Sequence, residues 1–413
     1  MSPRLLLAIF GIALAARIGT IAWFGFSTLS FGDSRDYIAA AESIARDGAY
    51  PEKATFHFLR APGYPAFLAV ATLGHPRILW LAKLWNGILG AGACVLIAVL
   101  SFRLFRAPTL AVATGVAAAL HPSFLLVSSG IQSEPLFLLL LLLFAFFLLA
   151  AVDRPSGGLA LLAGAALGLA ALTRPTALCL LPLLLAPLRD SRWPRRVRSQ
   201  IAAAAFAGLF VAVAPWTLRN ALVYRELLPI NDAFGNAFYM GNSQWASRYY
   251  ALESRAQLDA WIVDFDKDVR ARLADLESRG IDTPGAKSRA FVTATLEERR
   301  GDAAGWARLI GRKALDWLRP WPNRWYWPPV VVWGVGALYV LLYFLTIPGL
   351  LGSPRRGAAL FAAAVLLLSM ATHVATLVVF RYRIPFWDPI LLLYGAFGAS
   401  WLMNSQRRPS TTR

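Results

Sequence analysis

Apolar stretches long enough to enter a lipid bilayer recur along this chain, and they limit its folds more than any other feature. In hydrocarbon no water satisfies backbone N–H and C=O groups, so such stretches are read as helices. A span needs about 20 apolar residues. The candidates are Leu5–Phe26, Ile78–Leu100, Pro108–Val127, Pro135–Val152, Leu159–Leu172, Ala177–Leu188, Ile201–Leu218, Pro329–Leu351, Ala358–Phe380 and Pro385–Leu402. That makes ten, the fifth and sixth being short. Composition agrees: of 413 residues 57% are hydrophobic and 15% charged, with mean hydropathy +0.53. Soluble domains are about half apolar and about a quarter charged.

One ambiguity bears on topology. As a single helix, Leu159–Leu188 would be about 45 Å long, against a hydrocarbon core of about 30 Å. Pro175 also breaks the run beside Arg174. With two spans there, the arginine-dense short segments Arg103–Arg106, Asp153–Gly158, Arg189–Arg198, Arg355–Arg356 and the tail Arg407, Arg408, Arg413 all fall on one side. The positive-inside rule assigns that side to the cytoplasm, with both termini. Met1–Arg4, Leu5–Ile12 and Ala13–Ala15 have the outline of a signal peptide. The apolar run resumes after Arg17, however, which favours an uncleaved first span.

The net charge is +18 and the pI about 10.6. In a membrane chain Lys and Arg accumulate opposite anionic headgroups, so this balance does not point to nucleic acid. Cys94 and Cys179 both lie in apolar runs and form no CxxC pattern. The four histidines make no HExxH motif, and neither His57 nor His121 has neighbours suggesting a Ser-His-Asp triad.

This topology puts three regions outside the cytoplasm: the loop 27–77, a turn around His121–Glu134, and Arg219–Trp327. The last is too long for a structureless loop. In it Leu258, Trp261, Ile262, Phe265, Val269, Leu273 and Leu276 recur at helical spacing, which predicts a small helical domain on the membrane surface. The Trp-dense stretch Trp317–Pro329 suits chain re-entering the interface. The expected organisation is a membrane region 1–218 with seven spans, an outer domain 219–328, and three final spans with a basic tail, 329–413.

The outer-face residues carry the candidate chemistry. Asp33, Asp36 and Tyr37 share one face if a helix starts at Asp33. Both acids also suit a helix start, Asp33 as the cap and Asp36 in the first turn, with Gly48 ending the helix. Glu134, before Pro135, opens the fourth span at the same face, as a helix-start carboxylate or as a second acid across a site. Two such acids can share a divalent cation, Mg or Mn, that clamps a phosphate. Arg174 is against the charge rule and requires an anionic partner, either a buried acid or a lipid phosphate. The same holds for Arg381 and Arg383, one of which can snorkel to the interface. Arg60 lies in a loop, where exposed arginine is ordinary, and Arg17 inside the first span reads as structurally paired.

In order along the chain these pieces resemble the bacterial GT-C glycosyltransferases. More narrowly they resemble the branch using polyprenyl-phosphate sugars, which includes protein O-mannosyltransferase-like and lipid A aminoarabinose transferase-like enzymes. The matching pieces are Asp33–Tyr37, RAPGYPAFLA (Arg60–Ala69, with Tyr64), QSEPLF (Gln132–Phe137), GLAALTRP (Gly168–Pro175), PWTLRN (Pro215–Asn220), PIN (Pro229–Asn231), MGN (Met240–Asn242) and RYRIPFWDP (Arg381–Pro389). Ser34 stands where many relatives follow the first acid with Glu, and the outer domain is small.

The resemblance implies an all-α polytopic membrane protein of GT-C type with about ten transmembrane helices, extracytoplasmic loop helices and a small helical outer domain. It implies inverting transfer from an undecaprenyl-phosphate-type donor to a lipid, glycan or protein acceptor at the outer face of a bacterial inner membrane. Asp33 and Glu134 are the expected catalytic acids, with a divalent cation between them. Asp36, Tyr37, Arg60, Tyr64, Arg174, Arg381 and Arg383 are the expected substrate-binding residues. Two other readings stand beside it: a lipid or polysaccharide transporter, and an oligosaccharide ligase using a diphosphate-linked donor. Transporters place ionisable residues near the bilayer midplane, whereas here they gather at one face.

Overall fold

The computed structural model describes residues 1–29, 32–51, 58–324 and 326–406. His57 and the tail residues Arg407, Arg408 and Arg413 lie outside them. Among the described residues the chain is helical, without strands. Helix α1 (Pro3–Phe24) leads into the first outer segment, which carries α2 (Asp33–Asp47) and α3 (Gly63–Ala71). Then follow α4 (Leu79–Phe105), α5 (Pro108–Leu120), α6 (Pro122–Ser128), α7 (Glu134–Asp153) and α8 (Gly157–Thr173). A 3-10 helix covers Pro175–Arg189, and α9 runs over Arg195–Tyr224. The segment expected to form the outer domain holds α10 (Ala233–Asn242), α11 (Gln244–Tyr249), α12 (Arg255–Ser278), α13 (Pro284–Arg299) and α14 (Ala303–Leu318). The chain closes with α15 (Pro329–Leu351), α16 (Arg356–Ala375) and α17 (Phe380–Gln406).

Nine of the ten apolar segments coincide with a helix or a bent pair of helices; the ninth, Ala358–Phe380, is helical only to Ala375, where α16 ends. Six helices among the described residues are long and apolar enough to cross a membrane: α1, α4, α7, α9, α15 and α16. The segment Pro108–Val127 is not the single helix the sequence suggested. It breaks at His121–Pro122, and α5 and α6 meet at 51°, because a proline nitrogen cannot continue the hydrogen-bond ladder. The break between α8 and the next segment falls at Arg174, whose backbone is extended, with Pro175 opening the 3-10 helix. A 3-10 helix rises about 2.0 Å per residue, so its 15 residues reach about 30 Å. A segment that is short as an α-helix is therefore as long as the hydrocarbon core is thick. Helix α9 continues six residues past Leu218, to Tyr224.

The two ends of the bundle are chemically distinct. Asp153, at the end of α7, receives Arg103 at 2.8 Å and Arg355 at 2.9 Å. This joins three of the arginine-bearing segments assigned to the cytoplasm. Glu134 begins the same helix, so the 20 residues of α7 separate the two acids by about 30 Å.

Small residues allow close crossings. Gly349 on α15 and Gly398 on α17 each face a backbone carbonyl of the other helix, where a Cβ would overlap it. Such contacts replace the hydrophobic effect as the means of holding helices together in lipid. They fix α17, whose first turn carries Arg381. Arg17, fully buried, donates to the carbonyls of Ala13 (2.9 Å) and Ala119 (3.4 Å) and to Cys94 Sγ (3.2 Å), and both cysteines are free.

The outer domain packs around Tyr239, Trp245, Trp261, Phe265 and Phe291. Of the residues expected on one face of α12, Leu258, Trp261, Phe265, Val269 and Leu276 are buried, while Ile262 is exposed. Lys313 on α14 ties the domain to the bundle. Its Nζ donates to Gly241 O (3.0 Å) and Asn242 Oδ1 (3.1 Å) in the domain and to Thr376 O (2.8 Å) after α16. Trp317, expected at the interface, is instead 1% exposed and stacked on His373 at 4.7 Å.

Candidate active site

Helix α2 begins at Asp33 and ends at Gly48, which adopts the left-handed conformation (φ 64°) that terminates helices without a Cβ penalty. Gly32, not Asp33, holds the cap position, and no side chain bonds the free N–H groups there. The carboxylate of Asp33 is therefore available to the tertiary structure. Arg60 Nη2 donates to its Oδ1 at 2.9 Å, and Arg381 Nη2 donates to its Oδ2 at 2.6 Å. Arg60 also grips Asp36 Oδ2 through Nε (3.0 Å) and Nη2 (2.7 Å). The loop arginine that seemed ordinary in sequence thus holds both acids of α2.

Glu134 opens α7 with Pro135 in the first turn. Its carboxylate does not cap the helix. Its Oε1 lies 2.7 Å from Arg174 Nη1 and 3.0 Å from Arg381 Nε. Both contacts are ion pairs outside in-line hydrogen-bond geometry, and Oε2 has no donor. Of the two partners the sequence left open for Arg174, the structure supplies the buried acid. The guanidinium also lies 4.8 Å from the Tyr382 ring, a cation–π contact. Among the described residues Arg174 has no hydrogen bond through Nε or Nη2.

Arg381 is the centre of the arrangement. It donates through Nη2 to Asp33 and through Nη1 to Gln132 Oε1 (2.6 Å), and its Nε faces Glu134. One side chain from the end of the chain therefore clasps two acids that lie 101 residues apart in sequence (134 − 33). Three carboxylates, of Asp33, Asp36 and Glu134, meet three guanidiniums, of Arg60, Arg174 and Arg381. Burial pushes the Asp33 carboxyl up, but Arg60 and Arg381 outweigh it and hold it down at about 2.

The residues as placed do not fit the cation expected between Asp33 and Glu134. Both Asp33 oxygens already accept from arginine, and Arg381 stands between the acids. Among the described residues no three His, Cys, Asp or Glu side chains gather closely enough to hold a metal.

Three expected substrate contacts are placed elsewhere. Tyr64 is fully buried, and its hydroxyl bonds Asn86 (2.9 Å from Nδ2), which also donates to the carbonyls of Gly130 and Gln132. Tyr37 packs edge-on against it at 4.9 Å and bonds Ser133 Oγ at 3.1 Å. Both tyrosines position the acid-bearing turns. Arg383 neither snorkels nor enters the cleft. It is fully buried and donates to the carbonyls of Trp317 (2.8 Å) and Arg319 (2.6 Å), with Phe380 and Tyr339 rings at 4.0 and 4.5 Å. One residue of the site, Gln132, went unremarked in sequence although it lies in the QSEPLF stretch. Asn86 and Lys83 carry a signal of their own, as polar residues in an apolar span. Lys83 Nζ donates to Gly25 O (2.6 Å) and Thr28 O (2.7 Å), fixing the end of α1.

The loop bearing Arg60 is pinned by the outer segment. Leu59 N–H donates to Asp232 Oδ1 and Asn231 Nδ2 donates to Leu59 O, both at 2.9 Å. Trp216 and Asn220 of PWTLRN bond the carbonyl of Ile230, and Arg219 bonds that of Tyr50. Burial pushes the Asp232 carboxyl up to about 7, against the Leu59 N–H. A folded-state value above the unfolded one means that folding takes up a proton between the two. Stability from this group is full below pH 4 and is lost as pH rises through about 7. Asp232→Asn keeps an acceptor for Leu59 and removes the titration. The wild type should therefore lose thermal stability relative to Asp232→Asn between pH 4 and pH 7, measured as the Tm difference; a pH-independent difference would contradict the assignment.

Comparison with known proteins bears on the fold and on part of the chain. Residues 60–218 match the family described as dolichyl-phosphate-mannose-protein mannosyltransferase. That segment includes Arg60, Glu134 and Arg174, but neither Asp33 nor Arg381. No curated protein matches the chain in sequence. Among solved structures, the fold is similar to the oligosaccharyltransferase AglB of the archaeon Archaeoglobus fulgidus in complex with an inhibitory peptide and a dolichol-phosphate. That match has TM-score 0.55 and 13% identity, and covers 99% of this chain and 52% of that one. A structure of the Archaeoglobus fulgidus oligosaccharyltransferase tethered to an acceptor peptide gives TM-score 0.58 at 13% identity, covering 98% and 50%. ArnT of Cupriavidus metallidurans bound to undecaprenyl phosphate gives 0.46 at 14%, covering 98% and 79%. The chain spans about half the length of the archaeal structures it matches. The fold is thus similar to that of the Archaeoglobus fulgidus oligosaccharyltransferase, and residues 60–218 match the mannosyltransferase family model.

Proposed function

We propose that the protein transfers a sugar from a polyprenyl-phosphate donor to an acceptor at the extracytoplasmic face of the membrane. The observation that carries this reading is Arg381, which binds Asp33 and Glu134 together at the bundle end opposite Asp153. Such a cluster is costly to assemble near lipid unless chemistry requires it. A small apolar groove between α4, α7, α16 and α17 extends from Phe386, five residues after Arg381, toward Leu104 and Ala358 near the Asp153 end. The archaeal structure similar in fold contains dolichol-phosphate. In a bacterial inner membrane the corresponding carrier is undecaprenyl phosphate.

The reaction is a single displacement. The bond between the sugar's anomeric carbon and the phosphate oxygen breaks with its electron pair leaving on phosphate. The acceptor oxygen bonds that carbon from the opposite face. Arg174, through Nε and Nη2, meets the phosphate and stabilises the charge that grows on it, an interaction stronger in the transition state than before it. Asp33, held ionised, accepts a hydrogen bond from the acceptor hydroxyl and takes its proton. A carboxylate near pKa 2 is a weak base, so the proton moves late, once bond formation has made the hydroxyl acidic. Glu134 fixes Arg174 and Arg381. No step requires a metal between the acids.

The test uses purified protein in lipid with a polyprenyl phosphate carrying a radiolabelled sugar, with and without EDTA. Label should leave the lipid fraction and free polyprenyl phosphate should appear at the same rate in both. A requirement for a diphosphate-linked donor would favour the ligase reading. Movement of intact donor across the bilayer without bond breakage would favour transport. Loss of transfer in EDTA, restored by Mn or Mg, would show that a cation accompanies the donor.

A further inference from the structure

A second cleft opens on the extracytoplasmic side, between α11 and α14 of the outer domain and the chain leading into α15. Its volume is about 940 Å³, in the range of small-molecule sites. The polar lining and the aromatic lining are distinct. Tyr249, Tyr250 and Trp321 supply flat rings, while Arg312, Asp316 and Arg319 supply planar hydrogen-bonding edges. Arg319 Nη1 lies 3.2 Å from Asp316 Oδ1. Arg312 lies over the Tyr250 ring at 5.0 Å and donates to the Tyr250 carbonyl at 2.5 Å. Asn323 Nδ2 reaches the Tyr249 hydroxyl at only 3.4 Å, a weak bond that a ligand can replace.

This combination matches one ligand class. A sugar ring has an apolar C–H face, which rests on an aromatic ring, and adjacent hydroxyls, which pair with the two edges of a carboxylate or guanidinium. An acyl chain would need a wholly apolar groove such as the one between α4, α7, α16 and α17. With Arg312, Arg319 and Arg324 against Glu253 and Asp316, the lining carries one net positive charge, suited to a neutral or acidic sugar. The cleft is also joined to the reaction centre. The Arg319 carbonyl accepts from Arg383, which is two residues from Arg381 on α17.

We propose that this cleft binds carbohydrate, and that the sugars bound there belong to the acceptor, lying beyond its reacting hydroxyl. The second half of that statement rests on the transferase reading; the binding does not. Burial raises the Asp316 carboxyl above its ordinary range despite Arg319.

The experiment puts the photoreactive amino acid p-benzoylphenylalanine in place of Trp321 and, separately, of Tyr250. The full-length protein is irradiated in its native membrane, purified and examined by mass spectrometry for sugar, peptide and acyl-chain adducts. Sugar adducts at either position are expected. Their yield should fall about tenfold with Asp316→Asn, the effect of losing one charge-assisted hydrogen bond, and persist with Asp33→Asn, which keeps the fold. No adduct at both positions, or only peptide or acyl adducts, overturns the proposal. If sugar is transferred from the lipid donor but none is captured, the cleft reading fails alone. If sugar is captured while no polyprenyl phosphate is released, the transferase reading fails and the binding site stands.

Discussion

Arg381→Ala should lower sugar transfer by about 10²–10³-fold, the cost of removing one preorganised charged donor from a reaction centre. The variant should also lose roughly 3–5 kcal/mol of stability, because it takes one of two arginines from Asp33 and from the buried Glu134 at once, leaving Arg60 and Arg174 to hold them alone. Arg381 meets Asp33, Gln132 and Glu134 with three different nitrogens. No other side chain can do this from one position. Lysine offers a single ammonium that can face one acid at a time, so Arg381→Lys should recover the stability in part and the rate hardly at all. The measurements are the release rate of polyprenyl phosphate and the thermal midpoint of the purified protein in lipid. A folded Arg381→Ala protein that kept more than a tenth of the wild-type rate would remove Arg381 from the mechanism.

Asp33→Asn and Glu134→Gln should fail in different ways, although each neutralises a carboxylate on Arg381. The Asp33 side chain is 26% exposed, whereas that of Glu134 is 1% exposed. In Asp33→Asn the amide still accepts from one arginine and the fold should hold. Transfer should fall by about 10²–10⁴-fold, the range for losing a proton acceptor. In Glu134→Gln, Arg174 and Arg381 keep their charges in a buried site without the acid between them, and stability should fall by roughly 3–5 kcal/mol. Combining Glu134→Gln with Arg174→Gln should restore part of that loss, which a double-mutant cycle measures. The pH profile gives a further check. Asp33 titrates near 2, below its unfolded value, so its contribution to stability is present above about pH 4 and lost as pH falls through 2. The transfer rate should show no step attributable to Asp33 between pH 5 and pH 9. Wild-type rates from Asp33→Asn would exclude it as the proton acceptor.

Much of the architecture was legible because the relevant physics is local. Apolar length marks a helix whatever surrounds it, and helices cover the ten segments read this way apart from the end of Ala358–Phe380, which leaves the helix after Ala375. Proline acts on its own neighbours, so the break at Arg174–Pro175 was visible. The break at His121–Pro122 obeys the same rule but lay within an apolar run that hid it. The face of α12 followed from periodicity alone.

The candidate site divides along the same line. Sequence by itself determined which residues need a partner: an arginine against the charge rule at Arg174, acids beside spans at Asp33 and Glu134, and a pair of arginines before the last helix. These follow from the cost of isolated charge near lipid, which each residue incurs alone. Only the tertiary structure decided which partner each received. Arg381 and Arg383 stand two residues apart on one helix, yet the first clasps the acids and the second is buried against the carbonyls of Trp317 and Arg319. Asp36 and Asp33 are both satisfied through Arg60, a loop residue that the resemblance marked for substrate binding but whose charge alone needed no partner. Such choices depend on how α17 crosses α15 at Gly349 and Gly398, and on how the outer segment pins Leu59 through Asp232. Those contacts join residues tens to hundreds of positions apart, and no local pattern records them.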